Sequence, residues 1–166
     1  MIFVTVGTHE QPFNRLVEYM DNWAKDNSEE VIIQTGFSTY EPKNCKWSKI
    51  VPYSEMVENV AKARIVVTHG GPSSFIMPLQ VGKVPVVVPR KKEFNEHVND
   101  HQVDFAKNVA ERQGNIIVVE DVNELGKVLS DYDSIVSGLN NGMTSNNERF
   151  CSEFSKIVDD LFAKKK

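Results

Sequence analysis

The chain has no long apolar run, no clustered cysteines and no concentration of positive charge. None of its apolar stretches approaches the about 20 residues that a membrane-spanning helix requires. The opening run MIFVTVGTHE lacks the basic region of a secretory signal. The two cysteines, Cys45 and Cys151, lie far apart and outside any CxxC pair. They could pair only by accident of the fold, so a reducing cytoplasm is the simpler setting. With 19 Lys and Arg against 23 Asp and Glu the formal net charge is −4, and the only basic run is KKK at 164–166. That balance argues against nonspecific nucleic-acid binding, which needs clustered positive charge. Several chemical signatures are missing too. There is no GxGxxG dinucleotide fingerprint, no Walker GxxxxGK[ST] loop, no HExxH zinc helix and no GxSxG nucleophile elbow.

What remains is a globular composition, 40% hydrophobic and 25% charged over 166 residues, which suits one domain with a real core. The patterning alternates strand and helix. Residues 1–7 read as a buried strand ending at a glycine. Residues 11–27 follow as a helix, with Phe13, Leu16, Val17, Met20 and Trp23 at helical spacing and Pro12 near its first turn. EVIIQTG (30–36) is a second strand and KIVPY (49–53) a short third, followed by a helix over 54–63 capped by Ser54. RIVVT (64–68) and VPVVVP (84–89) are apolar throughout, as parallel strands covered on both faces are. PSSFIMPLQVG between them is a helix kinked or shortened by Pro78. Residues 98–114 form a helix closed by Gly114, and NIIVVE (115–120) a last strand. Asp121 and Glu124 open another helix with capping-box spacing. The polar stretch 131–147 reads as a mobile connection, and 147–163 as a final helix bearing Phe150, Phe154, Ile157, Val158, Leu161 and Phe162. The fold class expected is α/β, a Rossmann-like doubly wound parallel sheet formed as a single domain over 1–166.

In such a sheet ligands bind beyond the carboxyl ends of the strands, near the switch in strand order. Three unusual clusters fall at such ends: VGTHE (6–10), THGGPSS (68–74) and PRKKEFNEHVNDHQ (89–102). Gly70 and Gly71 lack Cβ atoms, so the backbone there can take positive φ and approach a ligand closely. The helix that opens next favours an anion such as a diphosphate, and Ser73 and Ser74 add hydroxyl donors. The same run serves equally well as a tight strand-to-helix turn with a serine cap and His69 as a core histidine. Gly7 and Thr8 repeat the logic at the first strand end. His97 and His101, four apart, could share a metal on one helix face, but a third ligand such as Glu93 would be needed. Asp100, His101 and Gln102 read rather as polar first-turn groups facing the cleft, or as a solvated helix face.

Taken together, MIFVTVGTHEQPFNRL, THGGPSSFIMPLQVGKVPVVVPR and DHQVDFAKNVAERQGN resemble the donor-binding C-terminal domain of family 28 (MurG-type) glycosyltransferases over residues 1 to about 120. They are most similar to its single-domain version in split enzymes. That version includes the soluble subunit of the eukaryotic two-piece transferase that adds the second GlcNAc to a dolichol-linked one, and bacterial relatives in capsule and exopolysaccharide synthesis. The resemblance implies one half of a GT-B fold that binds a UDP-sugar. By position it assigns Gly7 and Thr8 to the first glycine loop, and His69, Gly70, Gly71, Ser73 and Ser74 to the diphosphate turn. It assigns Gln102, with Asp100 and His101 beside it, to the sugar hydroxyls. Where many relatives carry a ribose-holding glutamate, five residues before the glycine of GK, this chain has Met77. The ribose contact then falls to another group, or the register shifts.

The resemblance also implies a membrane-anchored partner subunit on the acceptor side, a lipid-linked saccharide acceptor, and recruitment of a cytoplasmic protein to the inner face of the plasma membrane. The segment 146–166 could dock on that partner or lie on the membrane surface, though its upper part is expected to pack on its own sheet. A homodimer of the chain in isolation stays open. No cofactor or metal is required: helix N-termini and hydroxyls can stabilise departing UDP, and no acidic DxD pair is convincingly placed. For an inverting transfer His9 is the candidate base within the chain, since histidine ordinarily titrates near neutral pH. It serves equally as a loop histidine that only contacts donor or partner, and the base could lie on the partner. The preferred activity is β-1,4-galactosyl transfer. GlcNAc transfer, or a non-catalytic role enhancing another transferase, stand as alternatives, and a nicotinamide oxidoreductase is disfavoured by the missing GxGxxG.

Overall fold

The computed structural model describes residues 1–139 and 147–163. The strands β1 (Ile2–Thr5), β2 (Val31–Gln34), β3 (Lys46–Ser48), β4 (Ile65–His69), β5 (Val86–Val88) and β6 (Ile117–Val118) form one parallel sheet in the order β3-β2-β1-β4-β5-β6. The order runs outward in one direction from β1 and in the other from β4, so the switch point lies between them. There the pairing is in register, Ile2 opposite Ile65 and Thr5 opposite Thr68. This is the doubly wound, Rossmann-like α/β arrangement.

Strand periodicity explains why both faces are covered. Ile2, Val4, Val67, Val86 and Val88 point to one face and join Phe13, Leu16, Val17 and Met20 of helix α1 (Asn14–Asp26) in the larger core. Phe3 and Val66 point the other way, onto Val60 and Ala63 at the end of α2 (Tyr53–Lys62). Val87 meets Phe75 of α3 (Pro72–Gln80) and Ala106 of α4 (His101–Gln113). In β1, β4 and β5 each residue is thus buried against a helix whichever way it points, and the apolar runs follow from that. The lysine of the GK pair, Lys83, donates to the carbonyls of Val60, Ala61 and Ala63, closing the carboxyl end of α2 with a cation.

Several boundaries depart from the sequence reading. The third strand is Lys46–Ser48, not 49–53, because Pro52 has no N–H for a ladder and its extended backbone instead opens α2. Ser54 therefore sits inside α2 and caps nothing. The helix expected from 98 begins only at His101, because the side chains ahead of it bind locally. Asp100 Oδ1 accepts from the Lys92 N–H at 2.8 Å and Asn99 Oδ1 from the His101 N–H at 3.3 Å. Asp121 does cap, but a 3-10 turn over Val122–Glu124, before α5 (Leu125–Ser130). Residues 132–138, expected in a mobile connection, form α6 (Tyr132–Gly138), held by the Tyr132 hydroxyl donating to the Val84 carbonyl at 2.6 Å. Residues 140–146 of that stretch, and the lysines at 164–166, lie outside the described residues. The last helix, α7 (Asn147–Ala163), has the expected span but not the expected packing. Phe150, Phe154, Ile157, Leu161 and Phe162 are all largely exposed, so its apolar stripe is not buried on the sheet.

Candidate functional site

At the switch point the chain leaves β1 and β4 side by side, and a cleft of about 510 Å3 opens beyond their carboxyl ends. Thr5, Gly7, Thr8 and His9 line it from the β1 side, His69, Ser73 and Ser74 from the β4 side, with Gln34, Met56, His97 and Gln102 around them. A second chamber of about 260 Å3 continues from it, sharing Thr5, Thr8, Gln34, Met56, Ser73 and Ser74. Its own walls are apolar: Ile50, Val51, Tyr53, Val60 and Met77. The expected ribose position, Met77, thus sits in a greasy wall, and the polar atoms nearby belong to the shared residues.

The two glycine turns exist for His69. Its imidazole lies between Gly7 and Gly71. A methyl group on Gly7 would lie 2.8 Å from Nε2 and overlap Cε1; one on Gly71 would overlap Nε2 and lie 3.0 Å from Cδ2. Gly70 is closed off by Gln102, whose Cβ would be 2.8 Å from an added methyl. Only Gly7 (φ 74°) has positive φ; Gly70 and Gly71 do not, contrary to the conformational reading of that pair. They are glycine because side chains pass where their Cβ atoms would stand. Gly71 is also the N-cap of α3, Pro72 occupies the first turn, and Ser73 and Ser74 follow at the open N-terminus. No serine caps the helix with its side chain, and both Ser73 and Ser74 line the cleft.

Burial, and then the nearby Arg90 charge, lower the His69 pKa to about 4, so the ring is neutral at physiological pH. The Thr5 backbone lies close, but no hydrogen bond of ordinary geometry reaches the buried Nδ1. Beneath this ring Arg90 is fully buried. Its Nη1 donates to the carbonyls of Gln11 (2.7 Å) and Glu96 (3.1 Å), and its Nη2 to that of Val6 (2.8 Å). One guanidinium therefore ties together the loop carrying His9 and the turn carrying His97, and stacks on Phe13 at 4.9 Å. Its pKa is lowered to about 10 by burial, partly offset by Glu96, which leaves it charged at neutral pH. Glu96 is itself held by Arg15 at 2.9 Å in a buried ion pair, clamping the turn to α1. Neither Arg90 nor Glu96 stands out in sequence, because both lie in a charged run that reads as solvated surface.

Three of the four histidines line the cleft, and the fourth, His101, abuts one of them from outside. His9 stacks on His97 with centroids 4.6 Å apart, and His97 meets the edge of His101 at 4.5 Å. The His9 Nε2 lies 3.0 Å from Gln11 Oε1. Burial, followed by the neighbouring His101, His9 and Arg90 charges, lowers the pKa of His97. His97 precedes α4, so it and His101 do not share a helix face. Among the described residues no group of three or more His, Cys, Asp or Glu is arranged to hold a metal ion. Asp100 and His101 are exposed and stand outside the cleft lining. Gln102 does line it, but its Oε1 already accepts from the Gly70 N–H (3.1 Å) and the Arg90 N–H (3.2 Å), bracing the β4 turn against β5. The cleft residues that the sequence did not single out are Thr5, Gln34 and Met56, while His97 was noted only as a possible metal ligand. Thr5 and Gln34 had a signal, a polar residue closing an otherwise apolar strand, and their side chains hydrogen-bond each other.

A doubly wound sheet with a polar cleft at its switch point, floored by an open helix N-terminus, defines a class of nucleotide-binding half-domains. The model of the glycosyltransferase family 28 C-terminal domain matches residues 1–159, and the chain belongs to that family. Solved structures agree on the fold. The calicheamicin glycosyltransferase CalG4 superposes with a TM-score of 0.61 at 16% identity, covering 96% of this chain and 43% of its own. The glycosyltransferase of kitacinnamycin gives 0.59 at 19% identity, covering 78% and 34%. The chain thus spans less than half the length of either enzyme and has the fold of one half of a GT-B glycosyltransferase. No curated protein matches it significantly. No described helix is long and apolar enough to cross a membrane.

Proposed function

We propose that the chain is the UDP-sugar-binding, catalytic part of an inverting glycosyltransferase whose acceptor side is supplied by a membrane-anchored partner. The observation that carries this reading is the cleft itself: Gly7 and Thr8, the His69 turn, and Ser73 and Ser74 at the N-terminus of α3 meet at the switch point of a family 28 domain. The diphosphate sits over the α3 N-terminus, where the positive end of the helix, the Ser73 and Ser74 hydroxyls and the buried Arg90 charge favour it. The nucleoside enters the apolar second chamber, and with Met77 in its wall the ribose is held by Thr8, Gln34 or the serines. As UDP departs, these donors stabilise the developing charge.

His9, at the outer edge of the cleft, takes the proton from the acceptor hydroxyl, with Gln11 holding the ring. Asp100 and His101, though outside the lining, stay candidates for the sugar hydroxyls because they adjoin His97 and Gln102. The proposed acceptor is a lipid-linked saccharide of capsule or exopolysaccharide synthesis, with galactose in β-1,4 linkage the preferred sugar and GlcNAc the alternative. The exposed apolar stripe of α7 supports docking of the partner at the inner face of the membrane. A thermal-shift panel of UDP, UDP-galactose, UDP-GlcNAc and UDP-glucose tests the reading, since a ligand binding only the folded chain must raise its melting temperature. UDP and at least one UDP-sugar should stabilise the protein; no response to any of them removes the donor site.

A further inference from the structure

We propose that the chain carries a saccharide subsite beside the nucleotide cleft, built on the loop after β2. A cavity of about 380 Å3 lies there, lined by Phe37, Tyr40, Trp47 and Ile50 with Glu41 and Lys49 among its polar groups. The size falls within the roughly 300–1,000 Å3 of small-molecule sites. Ile50 also lines the apolar chamber of the cleft, so the two spaces adjoin.

The loop that presents the aromatic groups is fixed on every side. The Gly36 N–H donates to the Lys49 carbonyl at 2.8 Å and the Ser38 N–H to that of Thr35 at 3.0 Å. Ser38 Oγ accepts from the Phe13 N–H at 3.1 Å, and Asn14 Oδ1 accepts from the N–H groups of Thr39 and Tyr40 at 2.8 and 3.1 Å. The Tyr40 hydroxyl donates to the buried Asp21 carboxylate at 2.9 Å. Gly36 (φ 55°) lies so close to the Gly7 carbonyl that a methyl group would overlap it, locking this loop to the glycine turn of the cleft. On this fixed backbone Phe37 is 52% exposed. A loop whose backbone is already held presents its aromatic side chain with little loop ordering left to do when a ligand binds.

The chemistry selects the ligand class. A pyranose ring offers an apolar C–H face ringed by hydroxyls. Here aromatic surface is combined with the Glu41 carboxylate and the Lys49 ammonium, beside Ser38 and Thr39 hydroxyls that already have partners in Phe13 and Asn14. A purely aliphatic ligand would cover the two charged groups without pairing them, whereas sugar hydroxyls can meet both. The saccharide's role as the acceptor rests on the glycosyltransferase reading; its binding does not.

The test is amide and indole NMR of the full chain with three separate additions: N,N′-diacetylchitobiose or lactose at millimolar concentration, UDP, and a UDP-sugar. The disaccharide should shift the Phe37–Tyr40 amides and the Trp47 indole, and Phe37→Ala should weaken that binding about tenfold while leaving UDP affinity unchanged. No disaccharide response while UDP shifts its cleft overturns the subsite and spares the nucleotide reading. Shifts of the Phe37 loop by the UDP-sugar but not by free disaccharide also overturn it, assigning the pocket to the donor. Disaccharide binding without any UDP response keeps the subsite and sinks the nucleotide reading instead.

Discussion

Acidification from pH 7 to pH 5 should remove about 2 kcal/mol of stability through His69 alone. The ring titrates near 4 in the folded chain, against an ordinary 6.5, because it is enclosed by Gly7 and Gly71 and stands above Arg90. A histidine whose folded pKa is depressed binds its proton more tightly when unfolded. Its contribution is therefore complete above pH 6.5 and is lost as pH falls from there toward 4. The whole shift corresponds to about 3 kcal/mol, of which somewhat more than half falls between pH 7 and pH 5. Asp21 and Glu29, whose pKa values are lowered, act in a different window. Their contributions fade only below their ordinary values of 3.8 and 4.5. His97 acts in the same direction as His69 and is present in both chains compared. Urea unfolding of the wild type and of His69→Asn at the two pH values isolates the effect. The wild type should lose about 2 kcal/mol more than the variant. Equal losses would show that the imidazole is not the enclosed, neutral group described here.

Gly71→Val should displace His69 and obstruct the α3 N-terminus. It should cost about 1–3 kcal/mol in stability and, more tellingly, at least about tenfold in UDP affinity by calorimetry, since the anion site is disrupted directly. Unchanged affinity would separate the turn from the nucleotide. Asp21→Ala should destabilise the chain by about 3 kcal/mol in urea unfolding, because the buried carboxylate accepts hydrogen bonds from Tyr40, Lys43 and Asn44. A loss under about 1 kcal/mol would mean the 40–45 loop does not depend on it. His9→Ala should leave UDP affinity nearly intact while lowering transfer about a hundredfold in the reconstituted two-subunit system; normal turnover would remove His9 from catalysis.

The architecture was legible because burial on both faces writes itself as apolar runs. VIIQ, IVVTH and VVV need no partner information to be read as strands, and the helices between them follow from their period. Boundaries were less legible where side chains bind locally, as Asn99 and Asp100 do when they postpone α4 to His101. The short β3 escaped because Lys46 and Ser48 are exposed and only Trp47 is half-buried. In the site, the glycine turns could be located but not explained: that Gly7 and Gly71 make room for one imidazole is a long-range fact. Arg90 shows the same limit. Its neighbours Lys91 and Lys92 make it look solvated, and it is held inside by two distant carbonyls, of Val6 and Gln11, together with the nearby one of Glu96. The α7 stripe misled in the opposite sense, since an apolar helix face predicts burial without saying against what.

If the switch-point cleft is a UDP site, titrating UDP into the isotope-labelled chain should shift backbone amides in a saturable way. The largest shifts should fall at Gly7, Thr8, Gly71, Ser73 and Ser74, with smaller ones at Tyr53 and Met77 in the apolar chamber. Shifts centred elsewhere, or none at millimolar UDP, would rule the cleft out as the nucleotide site.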